Sequence, residues 1–403
     1  MTSSRGIFFG KMFHTDYVAT EWQTLPGRLA AGDNFACKKQ VAFLRANGYN
    51  ETAMIHLKKC TDVQERQDKD MANIASDKKE LNWAVLGTGV IANQMASALA
   101  DMGRQLYGVA NRTYEKAVTF AEKYGVQKVF PTYEAVFDDP EVDVVYITTP
   151  HNTHYPYMKA ALEHGKHLFV EKSISLNSRE LSEMRALAEE KGLVLAEAMT
   201  IWHMPLYKKL WQIVDSGRLG KVQMITMNFG SFKEYDMNNR FFNMNLAGGA
   251  LLDIGVYALS IVRSFMESCP DSIVSQMKPS PTGSDEQATM LLMNKEGQMA
   301  TVALSMHSKQ PKRAMISCEK GYIEIMEYPR ADRAVIVDAE TGEREEIAEG
   351  STANALQYEM MDMEAAILEG KTDVMRLSDS CDVMDMMTGL RKEWGMKYPG
   401  EEW

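Results

Sequence analysis

The chain has 403 residues, of which 45% are hydrophobic and 25% charged, and its net charge is −11. This length is enough for two or three domains, and the composition is ordinary for a soluble globular protein. The acidic balance argues against a nucleic-acid partner, because phosphate binding needs a basic face. No apolar run approaches the roughly 18 residues of a membrane span, so no membrane partner is expected. The five cysteines are dispersed without a C-x-x-C pair, which favours free thiols in the cytoplasm.

Residues 1–78 show no clear strand pattern and are expected to form an N-terminal extension of uncertain structure. One or two short helices are expected between Phe35 and Lys59. We hypothesise that Met71, which precedes a polar stretch before the first strand, is the natural start of the protein. The alternative, a genuine accessory segment, stays open, and mass spectrometry of the natively expressed protein distinguishes the two.

From Leu81 to Met199 the chain alternates between strand and helix patterns. Apolar runs bounded by turn signals predict strands, and 3.6-residue periodicity predicts helices. Such alternation is typical of a doubly wound parallel sheet, so residues 79–200 are predicted to form an NAD(P)-binding Rossmann domain. The predicted strands have the sequences WAVLG, LYGVAN, KVF, VDVVYITTP, HLFVEKS and LVLAEAM, and the predicted helices span residues 91–102, 114–124, 133–137, 154–163 and 178–191.

Residues 201–403 are predicted to form a second, α/β domain. An amphipathic helix over 205–216 is followed by closely spaced alternating segments, which favour a large and mostly antiparallel sheet. Two long helices are expected at 354–368 and 378–394. The predicted strand segments are KVQMITMNFGSF, ATMLLMN, QMATVALSMHS, RAMISCEKGYIEIME and RAVIVDA.

A glycine-rich turn of the form G-x-G-x-x-A follows the first strand and opens the first helix. Gly87 permits the tight turn, Gly89 lets a pyrophosphate approach the backbone, and Ala92 keeps helix and strand close. The helix start then offers unpaired N–H groups to phosphate oxygens. The predicted cofactor contacts at this turn are Gly87, Thr88, Gly89, Val90 and Ile91.

The end of the second strand indicates which nicotinamide dinucleotide is bound. A site selective for NAD carries Asp or Glu there to accept from the ribose hydroxyls, whereas this chain has Asn111 and Arg112. The Arg112 guanidinium can pair with a 2′-phosphate. NADP(H) is therefore favoured, with NAD(H) possible; the alternative is that Arg112 is only a solvated surface charge.

Further polar segments stand at the carboxyl ends of strands, where open α/β sheets bind ligands. They span residues 148–154, 171–173 and 197–199. In the second domain Asp253 and Tyr257 are four residues apart, a spacing that places both on one face of a helix.

These combined motifs resemble the glucose-fructose oxidoreductase/inositol dehydrogenase/rhizopine catabolism (Gfo/Idh/MocA) family from Leu81 to the C-terminus. The resemblance implies a Rossmann domain followed by an α/β domain with a large open sheet. It places the catalytic lysine of the E-K-P motif on Lys172, although Ser173 replaces the proline. It places the Asp and His of the D-x-x-x-H motif on Asp253 and Tyr257. The tyrosine is similar to that of the dihydrodiol dehydrogenase and NADP-linked aldose dehydrogenase branch.

The resemblance also implies further cofactor contacts and an acid/base mechanism. Tyr257 is expected to take the proton of a substrate hydroxyl, with its pKa lowered by the neighbouring Lys172 ammonium. Asp253 is expected to hold the lysine or a substrate hydroxyl. The remaining residues assigned to the cofactor site are Thr149, Pro150, Asn152, Glu171 and Lys172.

Four other residues are candidates for substrate contact, each with an alternative. His154 can approach substrate or simply begin a helix, and Trp202 and His203 can line the cleft or pack in the core. Arg240 can bind substrate or pair with a carboxylate. No His, Cys and carboxylate set has the spacing of a metal site, so no metal is expected.

The favoured function is an NADP-dependent sugar or vicinal-diol oxidoreductase of carbohydrate metabolism. One alternative is a glycoside hydrolase that oxidises its substrate transiently with bound NAD. The other is a non-catalytic NADP-binding regulator of the same fold. A homodimer or homotetramer is expected from the resemblance, because an exposed apolar sheet face needs a cover.

Overall fold

A computed structural model describes residues 80–403 of the chain. The predictions for residues 1–78, including a start at Met71, lie outside the described residues. The α/β class predicted from the sequence is confirmed, with one parallel and one mostly antiparallel sheet.

The first sheet has six parallel strands in the order β3-β2-β1-β4-β5-β6. Its central strands are fully buried, which explains their almost continuous apolar sequences. The strands are β1 (Trp83–Leu86), β2 (Gly108–Ala110), β3 (Lys128–Phe130), β4 (Val144–Ile147), β5 (His167–Glu171) and β6 (Leu195–Ala198).

Five helices connect these strands, at the positions that periodicity predicted to within one residue. Capping explains why several boundaries were readable: the Asn177 side chain accepts from Glu180 N, and Gly192 ends the same helix in the left-handed conformation. The helices are α1 (Val90–Asp101), α2 (Tyr114–Tyr124), α3 (Tyr133–Phe137), α4 (His154–Glu163) and α5 (Ser178–Lys191).

The second sheet has eight strands in the order β14-β13-β12-β11-β7-β10-β9-β8. All its neighbours pair antiparallel except β7 and β10. The sequence pattern missed β8 and β14, which form the two edges and bury few apolar side chains. The strands are β7 (Val222–Gly230), β8 (Ser272–Pro279), β9 (Asp285–Met293), β10 (Met299–Ser305), β11 (Gln310–Cys318), β12 (Gly321–Met326), β13 (Arg333–Asp338) and β14 (Arg344–Ala348).

Five α-helices and one π-helix accompany the second sheet. The stretch Met244–Phe265 is long and apolar enough to resemble a membrane span, contrary to the expectation that no such run exists, but 78% of it is buried inside the protein. It is therefore a core element. The helices are α6 (Thr200–His203), α7 (Pro205–Asp215), the π-helix (Leu251–Gly255), α8 (Val256–Phe265), α9 (Ala355–Glu369) and α10 (Leu377–Glu393).

Helix α9 returns from the end of the chain to pack on the Rossmann domain. Its buried Leu356, Met360 and Met363 belong to the same apolar cluster as Trp83 and Leu99. The Trp83 indole Nε1 also donates to Glu364 at 2.9 Å. Residues more than 250 positions apart therefore complete one core.

Candidate active site

The glycine-rich turn has the geometry that a dinucleotide site requires. Gly87 has a φ of +101°, a conformation that side chains other than glycine rarely adopt. A Cβ at Gly87 would lie 2.8 Å from Thr148 Oγ1, whereas a Cβ at Gly89 would meet nothing within 4 Å. The first glycine is thus needed for the turn, and the second leaves room for phosphate oxygens.

The start of α1 faces a cleft of about 750 Å³. No side chain of residues 80–403 caps this helix, and its first residue, Val90, is 79% exposed. Thr88, Gly89 and Val90 line one wall of the cleft, and Arg330, Thr352 and Leu356 of the second domain line another. These uncapped amides fit the phosphates of a nicotinamide dinucleotide.

Asn111 and Arg112 lie beside this turn, as predicted. The Asn111 side chain donates to Thr88 Oγ1 at 2.8 Å and accepts from Thr113 N. The Arg112 side chain is exposed and has no carboxylate partner among residues 80–403. Its guanidinium is therefore available to an anionic group next to the turn.

Lys172, Asp253 and Tyr257 come together where β5 ends and the π-helix passes into α8. Lys172 Nζ donates to the Asp253 carbonyl at 2.7 Å and lies 3.5 Å from Asp253 Oδ1. The same ammonium lies 4.7 Å from the centre of the Tyr257 ring. Arg240 Nη1 lies 3.3 Å from Asp253 Oδ1, so Arg240 pairs with a carboxylate at the mouth of the site. No group of His, Cys, Asp and Glu among residues 80–403 is arranged to hold a metal ion.

Charge interactions determine the protonation states of this cluster. Burial lowers the pKa of the Lys172 ammonium. Electrostatic interactions, chiefly with Tyr257 and Asp253, raise it by more than burial lowers it, so the pKa of Lys172 is above its usual value. Burial raises the pKa of Asp253, but Lys172 and Arg240 bring it below its usual range. Lys172 is therefore a cation and Asp253 an anion at neutral pH.

The expected depression of the Tyr257 pKa is wrong. Burial raises the pKa of the phenol above its usual value, and Lys172 offsets only part of that rise. The ammonium lies over the face of the ring, 4.7 Å from its centre. Tyr257 holds its proton at neutral pH and is suited to donate it.

His154 does not reach the substrate side, and the predicted substrate contact is wrong for this residue. It is fully buried, with Nε2 2.8 Å from the Thr149 carbonyl and Nδ1 3.1 Å from the Ser173 carbonyl. It holds together the two turns that carry the nicotinamide-side residues.

His151, which sequence reasoning passed over, lies closer to the chemistry than His154. Its Nε2 donates to the Lys172 carbonyl at 3.0 Å, and the side chain is half-buried. Burial and then the neighbouring His154 lower the His151 pKa to about 3, so the ring is neutral. The sequence offered one signal for this difference. His151 lies in the turn directly after β4, where ligands bind, whereas His154 is the first residue of the following helix.

Trp202 and His203 are also not substrate residues. Both are fully buried on α6. The Trp202 indole donates to Ser380 Oγ at 3.4 Å, and His203 Nδ1 lies 2.8 Å from Asp362. Their position after the last Rossmann strand places them in the core between the domains rather than at the cleft surface.

The remaining predicted cofactor residues follow β4 and β5. Thr149 is half-buried and Pro150 exposed, and the Asn152 amide donates to the Asn245 carbonyl of the second domain at 3.1 Å. Glu171 accepts a hydrogen bond from the buried Tyr146 hydroxyl. All four lie at the edge of the sheet that carries Lys172.

Two buried groups support the segment that follows Lys172. The Ser173 hydroxyl donates to the Leu252 carbonyl at 3.0 Å, where the family motif has proline. Glu197 accepts from Ile174 N at 3.1 Å and from Ser380 Oγ at 2.6 Å. Burial raises the pKa of Glu197 to about 7.

A further buried carboxyl, Asp285, fixes the start of the helix that carries Asp253. Its Oδ2 accepts from Leu251 N at 2.5 Å, while its Oδ1 has no hydrogen-bond partner in the described part of the chain. A Cβ at Gly249 would lie 1.9 Å from Oδ1, so only glycine fits there. Burial raises the pKa of Asp285 to about 7.

This raised pKa predicts a pH-dependent contribution to stability. Because the folded pKa is above the unfolded value near 4, Asp285 should favour the folded state below about pH 4, and this contribution should disappear as the pH rises through 7. A difference of about three pKa units between the folded and unfolded states corresponds to about 4 kcal/mol of unfolding free energy. In Asp285→Asn the amide keeps an acceptor for Leu251 N, so the unfolding free energy relative to wild type should rise by up to that amount between pH 4 and pH 7. Urea titrations at several pH values measure it.

The exposed Asp215→Asn variant is the control and should show no such change relative to wild type. A pH-independent difference between Asp285→Asn and wild type would contradict the raised pKa.

Comparison with known proteins agrees with this geometry. Residues 81–199 match the family model described as oxidoreductase family, NAD-binding Rossmann fold, and residues 207–324 match the GFO/IDH/MocA C-terminal domain. A trans-1,2-dihydrobenzene-1,2-diol dehydrogenase of Xenopus laevis is 28% identical over 328 residues, covering 79% of this chain and 99% of the relative. The Mus musculus enzyme of that name is 28% identical over 338 residues, covering 80% and 99%.

Two solved structures have the same fold. A 3-ketoreductase from Actinomadura kijaniata, in complex with NADP and TDP-benzene, has a TM-score of 0.70 at 21% identity and covers 78% of this chain and 98% of its own. An aldose-aldose oxidoreductase from Caulobacter crescentus, complexed with glycerol, has a TM-score of 0.70 at 22% identity, covering 78% and 97%.

The chain belongs to the Gfo/Idh/MocA family of oxidoreductases, as its motifs predicted. It is an NAD(P)-dependent enzyme of the dehydrogenase and reductase type.

Proposed function

We propose that the protein is an NADP(H)-dependent oxidoreductase that interconverts a hydroxyl carbon and a carbonyl carbon in a small carbohydrate or vicinal diol. The observation that carries this proposal is the cluster of Lys172, Asp253 and Tyr257, at the edge of the sheet that follows the glycine-rich turn. The names of the similar dehydrogenases support the substrate class.

Each member of the cluster has a distinct role. The nicotinamide, when bound, donates or accepts the hydride. The Lys172 ammonium stabilises negative charge that develops on the substrate oxygen. The neutral Tyr257 phenol donates a proton to that oxygen during reduction. Asp253 orients Lys172 through its carbonyl and carboxylate oxygens. Two protonated groups around one oxygen suit carbonyl reduction at neutral pH.

The exposed guanidinium of Arg112 supports a preference for NADP(H). In Arg112→Gln, NADPH should bind about 10- to 100-fold more weakly, because a charge-assisted hydrogen bond contributes about 1.5–3 kcal/mol. NADH lacks the 2′-phosphate and should bind with nearly unchanged affinity. Quenching of intrinsic fluorescence measures both dissociation constants.

Arg185→Gln is the matched control, since Arg185 is an exposed arginine on α5 paired with Glu189. An unchanged NADPH-to-NADH preference in Arg112→Gln would contradict the assignment.

A substrate panel distinguishes the proposed function from its alternatives. Aldoses, inositols, vicinal diols and their ketones are incubated with NADP or NADPH and followed at 340 nm. Turnover of the cofactor supports the oxidoreductase. Cleavage of glycosides without net turnover would instead indicate the redox-assisted hydrolase, and cofactor binding with neither reaction a regulator.

We further propose that the protein is a homodimer or homotetramer assembled through the outer face of the second sheet. Large apolar side chains are exposed there on β7 to β10, and a contiguous apolar surface favours association. They are Met224, Val274, Leu291, Met293 and Met299. Light scattering that gives the mass of one chain at micromolar concentration would exclude this assembly.

A further inference from the structure

Arg330 reaches from the second domain to the first helix of the Rossmann domain. It follows β12 in a short turn whose backbone is fixed on both sides: Thr200 Oγ1 donates to the Pro329 carbonyl at 2.6 Å, and Thr352 Oγ1 to the Arg330 carbonyl at 2.7 Å. The guanidinium Nη1 donates to Gln94 Oε1 on α1 at 3.2 Å. The side chain is therefore half-buried between the domains.

No carboxylate neutralises this guanidinium. Among residues 80–403, none has an oxygen within 4.0 Å of it. The nearby acids are also poor counter-ions. Burial raises the pKa of Glu359 well above its usual value, and its buried Oε1 has no hydrogen-bond partner among residues 80–403. Burial likewise raises the pKa of Glu171. Within the described part of the chain, this half-buried cation has a single hydrogen-bond acceptor for its guanidinium, the neutral Gln94 side chain.

The position of Arg330 indicates which group of a bound dinucleotide its guanidinium would contact. It lines the same cleft as the glycine-rich turn and is the only Lys or Arg among the described lining residues. The positive charge of Arg330 also acts to lower the pKa of Glu171 and that of Tyr257, which lie on the nicotinamide side. Arg330 thus faces the turn that receives phosphate from the other wall of the cleft. The pyrophosphate is the anionic group of a nicotinamide dinucleotide that binds at such a turn.

We propose that Arg330 binds the pyrophosphate of the cofactor from the second domain, opposite the amides of the glycine-rich turn. The planar guanidinium suits paired donation to phosphate oxygens. The proposal rests on binding of a nicotinamide dinucleotide and is independent of the substrate. The dinucleotide is then held by both domains, and its release requires loss of a contact across the interface.

This role differs from that of Arg112 in a way that binding measurements detect. NADH and NADPH share the pyrophosphate but differ in the 2′-phosphate. Arg330→Gln should therefore weaken both cofactors by the same factor, about 10- to 100-fold, and leave their ratio unchanged. Arg330→Lys keeps the positive charge but cannot donate two parallel hydrogen bonds. It should therefore weaken cofactor binding, but less than Arg330→Gln does.

The experiment measures dissociation constants of NADPH and NADH by fluorescence titration of the full chain at 50 and 200 mM salt. Arg333→Gln is the matched control, because Arg333 is an exposed arginine on β13 paired with Glu346, and should bind like wild type. The salt dependence of binding should be smaller in Arg330→Gln than in wild type, since one phosphate contact is lost. Thermal unfolding of each variant establishes that it is folded.

The possible outcomes separate this proposal from the proposed function. Unchanged dissociation constants for NADPH and NADH in folded Arg330→Gln would overturn the proposed role of Arg330. A loss of affinity confined to NADPH, or a rise in the substrate KM alone, would overturn it as well. If Arg330→Gln does not fold, the same criteria apply to Arg330→Lys. Failure of the wild-type chain to bind either cofactor would instead refute the proposed function.

Discussion

Lys172→Met is expected to lower kcat by about 10²- to 10³-fold while the NADPH dissociation constant changes by less than about threefold. The size follows from removing one charged donor aimed at a developing oxyanion. Lys172 is 15% exposed and fixed at 2.7 Å from the Asp253 carbonyl, so its ammonium is oriented before the substrate arrives. Methionine preserves most of the length of the lysine side chain and removes only its positive charge and its N–H hydrogen-bond donors.

Lys208→Met is the control for this variant. Lys208 pairs with Asp362 on α9, away from the catalytic cluster, and its replacement should leave kcat near the wild-type value. Single-turnover measurements with saturating NADPH separate the chemical step from product release. Full activity in Lys172→Met would remove Lys172 from the mechanism, whereas equal losses in both variants would indicate a general effect on the fold.

Tyr257→Phe is expected to lower kcat for carbonyl reduction by about 10²- to 10⁴-fold, the usual contribution of a positioned general acid. The ring should stay in place, because it packs against Phe229 at a centroid distance of 6.3 Å and under the Lys172 ammonium. The substrate KM should therefore change much less than kcat.

The pH dependence gives Tyr257 a second signature. Because burial raises the pKa of the phenol above its usual value, the acid form predominates throughout the neutral range. Reduction should be nearly independent of the Tyr257 ionisation up to about pH 9. Oxidation of the alcohol needs the phenolate, so its rate should rise about tenfold per pH unit in that range. Tyr257→Phe should abolish this rise.

Tyr322→Phe, on β12 of the second sheet, is the matched control and should retain the wild-type profile. An alkaline rise that persists in Tyr257→Phe would assign the base to another group.

Local pattern was sufficient to predict most of the fold. Helix boundaries were readable because capping residues such as Asn177 and Gly192 mark them in sequence. Strand β8 was not readable because it is an edge strand whose Ser272, Gln276 and Lys278 are exposed, so little apolar periodicity remains. Edge strands pair on one side only, and their sequences carry correspondingly less signal.

The site was predicted where function depends on residue type and spacing, and missed where it depends on burial. Lys172, Asp253 and Tyr257 could be identified from motifs that lie about 80 residues apart. Position in the sequence favours His151 only weakly, and burial, which decides which histidine faces the cleft, cannot be read from it; His154 was therefore predicted although His151 lies nearer the chemistry. The protonation state of Tyr257 depends on desolvation, which only the packed structure supplies.

The packing of α9 has a consequence for the independence of the nucleotide-binding domain. A polypeptide ending near residue 200 would contain every strand of the Rossmann sheet and the whole glycine-rich turn. It would nevertheless lack the side chains of Leu356, Met360 and Met363 that cover Leu99 and its neighbours. Such a fragment would present apolar surface to water and tend to aggregate. A transplanted or exchanged Rossmann domain would need α9 supplied with it.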